Sequence, residues 1–175
     1  MTAVDNDTAS EQWGPPHSRT VTWHDPGHGV THGQAMAGLG YLKAMIAGEL
    51  PPPPIAALMQ FDLVGAEPGK VVLTCRPDGA VYNPNGAVHG GLACTLLDSA
   101  AGLAVHSTLP AGKGYTSIEI KVNYLKPMRL DGGPFTTTGR VVKSGSRVAF
   151  TDCVVTNGSG AIVATATSTL LVFDM

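Results

Sequence analysis

The stretch that decides the fold is Asn83-Pro-Asn-Gly-Ala-Val-His-Gly-Gly91, together with the apolar segment that follows it. From Leu92 to Val105 the chain carries only Leu, Ala, Val, Gly, Cys, Ser and Thr, apart from one carboxylate, Asp98. Removing a charge from water among apolar neighbours costs free energy, so such a group is rarely retained for packing alone. Asp98 is therefore a candidate for chemistry. The alternative is a structural carboxylate bonded to backbone or hydroxyl groups.

The segment that carries Asp98 is expected to be a buried helix. Residues Gly90 to about His106 are apolar nearly all round, which is typical of a helix covered on most sides. The strands must cover this helix, because the chain after it contains only strand-like segments.

A strand pattern dominates the rest of the chain. Tyr115 to Leu125 alternates, with Ile118, Ile120, Val122 and Tyr124 on one face, which we expect to be covered. Other strand-like runs are Leu58 to Val64, Val71 to Arg76, Phe135 to Lys143, Arg147 to Thr156 and Ala161 to Phe173. Ser144-Gly145 and Asn157-Gly158 are typical of hairpin turns. The pattern predicts an α+β fold in which one antiparallel sheet wraps the buried helix.

The N-terminal third differs in character. Residues 1–30 are predicted to be a flexible arm, residues 31–54 an accessory helix with a stiff proline-rich linker (Pro51 to Pro54), and residues 55–175 the main domain. His24, His28 and His32 have helical spacing, but Pro26, Gly27 and Gly29 argue against a helix there. Solvated loop histidines are therefore favoured over a metal site.

Composition excludes several function classes. The net charge is -2 and no Lys/Arg block occurs, which argues against binding nucleic acid or an anionic membrane. No run of about 18 apolar residues occurs, and the acidic, polar N-terminus lacks the features of a secretory signal, so a cytoplasmic protein is expected. Only 14% of residues are charged, which favours a surface partly hidden by self-association. Cys75, Cys94 and Cys153 are expected to be reduced core cysteines.

With these residues in place, the chain resembles the hotdog-fold acyl-CoA thioesterases of the phenylacetate-degradation type, over about residues 55–175. The resemblance rests on Asn83, on His89-Gly90-Gly91, on Asp98 nine residues after His89, on Thr116-Ser117, and on Tyr124 through Pro127. It implies a hotdog fold and hydrolysis of an acyl-CoA thioester. Coenzyme A would be part of the substrate, and neither a metal nor another cofactor would be needed.

Thioester hydrolysis requires a carboxylate that activates water or attacks the carbonyl, and donors that face the developing negative charge. Asp98 is the candidate general base or nucleophile. Gly90 opens the predicted helix, where backbone N–H groups lack intrahelical partners, and it is the candidate donor. The resemblance implies the same role for Gly90 and a positioning role for the Asn83 side chain. His89 is included as a site residue, more as an orienting group than as a base.

Four further residues complete the candidate site as substrate-binding positions, and they are Val88, Gly91, Thr116 and Ser117. For Thr116 and Ser117 a plain strand role is an equal alternative. Lys113, Lys126 and Arg129 could meet the phosphates of coenzyme A, although ordinary surface charge is the simpler interpretation of each.

Helix geometry adds a constraint. Eight residues separate Gly90 from Asp98, which corresponds to about 12 Å along an ideal helix and exceeds the reach of one carbonyl group. Two copies around a two-fold axis could bring the groups together. We therefore expect a homodimer with shared sites, Asn83 and Gly90 from one chain and Asp98 from its mate, and further assembly into a dimer of dimers. The known construction of hotdog families agrees with this expectation.

Two other functions compete. A non-catalytic acyl-CoA binding or sensing protein could use the same fold, but it would ordinarily need an attached effector, which the N-terminal region does not resemble. A hotdog hydratase would use a paired histidine and carboxylate in a different local pattern. The preferred acyl group, and the choice between base and nucleophile for Asp98, are left open by the sequence.

Overall fold

The computed structural model describes residues 13–175. Its helices are α1 (Pro26–Ala35), α2 (Gly38–Ile46), α3 (Pro54–Met59) and α4 (Gly90–His106), with short 3-10 turns at Gly79–Val81 and Leu130–Gly132. Its strands are β1 (Phe61–Glu67), β2 (Lys70–Cys75), β3 (Lys113–Tyr124), β4 (Phe135–Ser144), β5 (Val148–Thr156) and β6 (Ile162–Asp174).

The six strands form one antiparallel sheet in the order β1-β2-β4-β5-β6-β3. Helix α4 packs against β2, β3, β4, β5 and β6, so the sheet curves around it. The expected hairpin turns after β4 and β5 are present, closed by Gly145 N–H to Val148 O and Gly160 N–H to Asn157 O. The predicted α+β architecture, a sheet wrapped around a long helix, is confirmed.

Close approach between α4 and the sheet depends on small residues. Leu96, Leu97, Ala100, Ala101 and Ala104 on the helix are fully buried. Gly139 of β4 lies against the Ala100 carbonyl so closely that a Cβ there would collide with this backbone group. The sheet can therefore reach the helix backbone at this point only because residue 139 has no side chain.

One expectation about β3 is wrong. Ile118 and Tyr124 are 57% and 58% exposed, whereas Ile120 and Val122 pack against the core. The pairing of β3 with β6 shifts register between Ser117 and Glu119, so Ile118 is the extra residue of a bulge. In addition, β3 is an edge strand, and α4 covers only part of it.

The argument against a helix near Pro26 is also wrong. Pro26 begins α1, where a proline is tolerated because the first helical N–H has no intrahelical partner. The Asp25 carboxylate accepts a 2.7 Å hydrogen bond from Gly27 N–H and thereby caps the helix. His24 precedes this helix, so the three histidines do not form one helical stripe. Residues 1–12 of the predicted arm lie outside the described residues.

The proline run ends differently from the expectation. Pro51 to Pro53 lie outside the helices and strands, and Pro53 is extended. Pro54 then opens α3, which occupies the start of the predicted Leu58 to Val64 strand. β1 begins only at Phe61, after Gln60 adopts a left-handed conformation with φ of 56°. The proposed domain boundaries stay a prediction. Among residues 13–175, no helix combines the length and apolar character needed to cross a bilayer.

Candidate active site

The N-terminal end of α4 is capped by a histidine side chain. His89 Nδ1 accepts a 2.8 Å hydrogen bond from Gly91 N–H, which satisfies one of the donors that a helix start leaves open. The N–H of Gly90 donates to no acceptor within the part of the chain that the structure describes. His89 therefore helps to hold the helix end, and Gly90 retains a donor at the positive end of the helix dipole.

Asn83 holds the loop that leads to the helix. Its Oδ1 accepts hydrogen bonds from Asn85 N–H at 3.0 Å and from Ala87 N–H at 3.2 Å. The turn also contains Gly86, whose φ of 73° favours glycine. The Asn83 oxygen is thus used by the turn, which leaves the Nδ2 amide group as the part that can contact a ligand.

Asn83 and Gly90 line one cleft of about 410 Å³. Its other walls include Tyr124, Lys126, Met128 and Arg129. The Tyr124 hydroxyl donates a 3.1 Å hydrogen bond to Gly90 O, and a Cβ on Gly90 would lie 3.1 Å from the Tyr124 ring. Because that distance is tighter than ordinary contact, a side chain at residue 90 would press on the wall of the cleft.

Asp98 is half-buried and lies outside this cleft. Its Oδ1 accepts a 2.7 Å hydrogen bond from the Ser117 hydroxyl of β3. Its Oδ2 accepts none within residues 13–175. The neighbouring Tyr115 phenol has its pKa raised to about 12, chiefly by burial and to a smaller extent by the negative charge of Asp98. Ser117 thus fixes one carboxylate oxygen and leaves the other available.

The structure brings the candidate residues together in two groups. Asn83, Val88 and Gly90 line the cleft at the start of α4. Asp98 lies about two helical turns further along α4, where Ser117 of β3 contacts it. Gly91 uses its N–H in the cap. Thr116 is exposed on β3 beside Ser117. Within one chain, the donor group and the carboxylate group are separate.

Two basic side chains, Lys126 and Arg129, also line the cleft. From the sequence alone, they were hard to distinguish from ordinary surface charge. Both are exposed, whereas Lys113 pairs with Asp174 at 2.7 Å. The sequence contained one signal for this placement: Lys126 and Arg129 follow directly after the strand that ends at Tyr124. Because Tyr124 contacts Gly90 at the start of α4, the residues that follow Tyr124 lie beside the same cleft.

The three cysteines carry no disulfide. Burial raises the pKa of both Cys75 and Cys153 to about 12, so neither thiol forms a ready nucleophile near neutral pH. In the range 13–175 no cluster of three or more His, Cys, Asp or Glu side chains is arranged to hold a metal ion.

Comparison with known proteins identifies the family. The profile of the thioesterase superfamily matches residues 85–164. Human acyl-coenzyme A thioesterase 13 is 33% identical over 108 residues, which cover 61% of this chain and 76% of the relative. A Streptococcus mutans structure bound to acetyl CoA is 35% identical, with a TM-score of 0.61 over 66% of this chain and 90% of that one.

A second structure, a phenylacetic acid degradation-related protein from Ralstonia eutropha, is 26% identical, with a TM-score of 0.69 over 75% of this chain and 98% of that one. The matched segment contains the Gly90 helix start, Asp98 and Ser117, which are the residues around which both halves of the candidate site are built. The chain therefore belongs to the thioesterase superfamily, a family of thioester hydrolases, and has its hotdog fold.

Proposed function

We propose that this protein hydrolyses an acyl-CoA thioester to a free acid and coenzyme A, with Asp98 as the general base or nucleophile. The observation that carries the proposal is the hydrogen bond from Ser117 to Asp98, which orients one carboxylate oxygen and leaves the other open to water or to a carbonyl carbon. The relatives named as acyl-CoA thioesterases support the same reaction.

The chemistry follows from two kinds of group. In the base mechanism, Asp98 removes a proton from water, whose oxygen forms a bond to the thioester carbon. In the nucleophilic mechanism, an Asp98 oxygen forms that bond itself, and water later hydrolyses the resulting anhydride. In both, the C–S bond breaks, and the thiolate of coenzyme A leaves and takes up a proton. The Gly90 N–H stabilises the carbonyl oxygen as its negative charge grows.

The two groups must come from different chains. The cleft that contains Asn83 and Gly90 does not include Asp98. The helix rise between Gly90 and Asp98 is about 12 Å for eight residues of ideal helix. β3 is an edge strand that exposes Ile118 and Tyr124, and such an edge is suited to pairing with a second copy. We therefore place Asn83 and Gly90 of one chain beside Asp98 of its mate, with a dimer of dimers as the larger assembly.

The remaining site residues have supporting roles in the proposal. Val88 and Gly91 shape the approach to the Gly90 N–H, and His89 holds the helix end. Thr116 lies at the carboxylate side. Lys126 and Arg129 bind the phosphates of coenzyme A, a role supported by their place in the cleft and by the similarity to a structure that holds acetyl CoA. We place the protein in the cytoplasm, where its three free cysteines would stay reduced.

The experiment is steady-state hydrolysis of acetyl-, octanoyl- and phenylacetyl-CoA by the wild type and by Asp98→Asn. Loss of a positioned carboxylate that acts in proton transfer should lower kcat by about 10²- to 10⁴-fold. Asp152→Asn, a carboxylate on β5 outside the site, is the matched control and should retain full activity. Equal rates for Asp98→Asn and the wild type would refute the mechanism. Binding of acyl-CoA without turnover by the wild type would indicate the sensing function instead.

A further inference from the structure

A carboxylate that precedes the candidate site, Asp78, joins three segments of the chain. Its Oδ1 accepts a 2.9 Å hydrogen bond from Ala80 N–H and so caps the 3-10 turn Gly79–Val81. Its Oδ2 accepts a 3.2 Å bond from Gln60 Nε2, and Asp78 N–H donates a 2.8 Å bond to Gln60 Oε1. Both carboxylate oxygens are thus engaged, although the Asp78 side chain is 40% exposed.

The third segment consists of residues 13–25, which precede α1. Arg19 in this segment donates a 2.6 Å hydrogen bond from Nη2 to Leu58 O in the last turn of α3, and its Nη1 lies 3.5 Å from Asp78 Oδ2. Arg19, Gln60 and Asp78 all precede the segment matched by the thioesterase superfamily profile, which begins at residue 85. These contacts are therefore made by residues outside the matched segment.

The 3-10 turn that Asp78 caps supports the start of α4. Val81 O, at the end of this turn, accepts a 2.8 Å hydrogen bond from His89 N–H. The intervening residues 82–88 contain the turn described above, and a β-bridge joins their two ends. The peptide group that contains the His89 N–H is followed directly by the one that contains the Gly90 N–H. A shift of Val81 would therefore displace the proposed donor.

We infer that Asp78 is a positioning residue for the Gly90 N–H, and that Arg19 holds Asp78 in place. The inference rests on the proposed thioester hydrolysis. A donor to the carbonyl oxygen must lie within about 3 Å of it, and an error of about 1 Å in placement lowers rates strongly. Displacement of Val81 should therefore lower kcat, whereas the coenzyme A part of the substrate, held by the basic residues of the cleft, should bind about equally well.

The first test removes the carboxylate. Asp78→Ala should lower kcat for acetyl-CoA about tenfold and change KM less than about twofold, because the cap and the contacts with Gln60 and Arg19 are lost together. Asp78→Asn keeps an oxygen for Ala80 N–H and should lower kcat only about threefold. Asp62→Ala, which removes an exposed carboxylate of β1, is the matched control and should retain full activity. A rise in KM with unchanged kcat would overturn the positioning role.

The second test reports on position without turnover. Hydrogen exchange followed by NMR measures the His89 N–H, which is bonded to Val81 O. Its exchange rate should rise about tenfold in Asp78→Ala, whereas that of Gly145 N–H in the turn after β4 should stay unchanged. An equal rise at both amides would show a general loss of stability and would overturn the positioning role.

The third test addresses Arg19. Arg19→Ala should lower kcat about threefold in the wild-type background and much less in Asp78→Ala, because the partner carboxylate is then absent. Arg19→Lys retains the charge but not the two-pronged guanidinium, and it should recover part of the loss. Arg76→Ala, which removes an exposed arginine after β2, is the matched control. Additive effects of Arg19→Ala and Asp78→Ala would overturn the proposed pair.

The outcomes separate the two proposals. Hydrolysis of acetyl-CoA by the wild type, with an unchanged kcat in Asp78→Ala, would overturn the positioning inference and leave the thioesterase function intact. A selective rise in His89 exchange in Asp78→Ala, with no hydrolysis of any acyl-CoA by the wild type, would overturn the proposed function and retain the support of the α4 start by Asp78. Absence of both hydrolysis and a change in exchange would overturn both.

Discussion

The Ser117 hydroxyl donates a 2.7 Å hydrogen bond to the Asp98 carboxylate, and this bond joins the edge strand β3 to the middle of the central helix. Nineteen residues separate the partners along the chain. The contact therefore exists only because the strand that follows the helix folds back beside it. It fixes the orientation of a side chain whose neighbours on α4 are otherwise apolar or small.

Removal of this hydroxyl should impair catalysis more than binding. Ser117→Ala is expected to lower kcat about tenfold to 100-fold with little change in KM, because a hydrogen bond to a charged group contributes about 1.5–3 kcal/mol. Ser117→Thr retains the hydroxyl and should recover most of the rate. A rise in KM with unchanged kcat would contradict the orienting role assigned to Ser117.

The basic residues of the first cleft should affect the coenzyme A part of the substrate. Lys126→Ala and Arg129→Ala are each expected to raise KM for acetyl-CoA about fivefold with little effect on kcat, since an exposed ion pair contributes up to about 1 kcal/mol. The effect should shrink at high salt, which screens exposed charges. Lys143→Ala, an exposed lysine of β4 outside the cleft, is the matched control. Equal KM values for all three variants would exclude this phosphate site.

Gly139, where the sheet contacts α4, should not tolerate a side chain without a loss of stability. A Cβ on Gly139 would collide with the Ala100 carbonyl, whereas a Cβ on Gly65 of β1 would meet Val72 at an ordinary 3.6 Å. Gly139→Ala is therefore expected to lower the free energy of unfolding by about 3 kcal/mol, at the upper end for overpacking a core. Gly65→Ala, the matched control, should change it by less than about 1 kcal/mol. Urea unfolding followed by circular dichroism measures both, and similar values would contradict the described packing.

His106 should make stability depend on pH. Burial lowers its pKa below the ordinary value of 6.5, so the unfolded chain binds a proton at this residue more readily than the folded one. The free energy of unfolding should thus fall as pH decreases below about 6.5, until pH reaches the folded-state pKa. Urea unfolding of the wild type and His106→Phe between about pH 5 and pH 7.5 measures this difference. A stability difference that does not vary with pH would contradict a neutral, buried His106.

The central part of the fold could be predicted because its signals are local and strong. An all-round apolar segment from Gly90 to His106 requires cover, and the strands after it are separated by evident turns. The helix bounds and the hairpin turns accordingly agree with the expectation. The fold class follows from the order of these elements, since no second layer of helices is available.

The accessory helix expected within residues 31–54 is present as α2, but helix α1 and the bulge in β3 could not be predicted in the same way. Proline and glycine lower helix propensity in general, but Pro26 stands at the one helical position where it does no harm. Gly29 allows the Tyr41 hydroxyl to approach α1, because a Cβ at residue 29 would lie only 3.2 Å from it. Ile118 fits the alternating pattern of β3, and only the register of pairing with β6 shows that it is displaced. Both features depend on contacts between distant segments.

The candidate site was predictable in its residue types and only partly in its geometry. The sequence motif from Asn83 to Gly91, with Asp98 after it, identifies the candidate residues. The helix rise between Gly90 and Asp98 predicts that these two groups lie apart within one chain. The use of Asn83 Oδ1 is local, because both donors lie within four residues of it, whereas a cavity beside His106 depends on contacts between distant segments.

The central claim, thioester hydrolysis at a site shared between two chains, is tested most directly by complementation. Asn83→Asp keeps the oxygen that the turn needs and removes the amide donor, and Asp98→Asn removes the carboxylate. Each variant alone should be nearly inactive toward acetyl-CoA. After the two are unfolded together and refolded in equal amounts, half of the dimers are mixed and each has one intact site, so activity should return to about a quarter of the wild-type value. Mixed dimers that form, as shown by mass spectrometry, and remain as inactive as the parents would contradict the shared site.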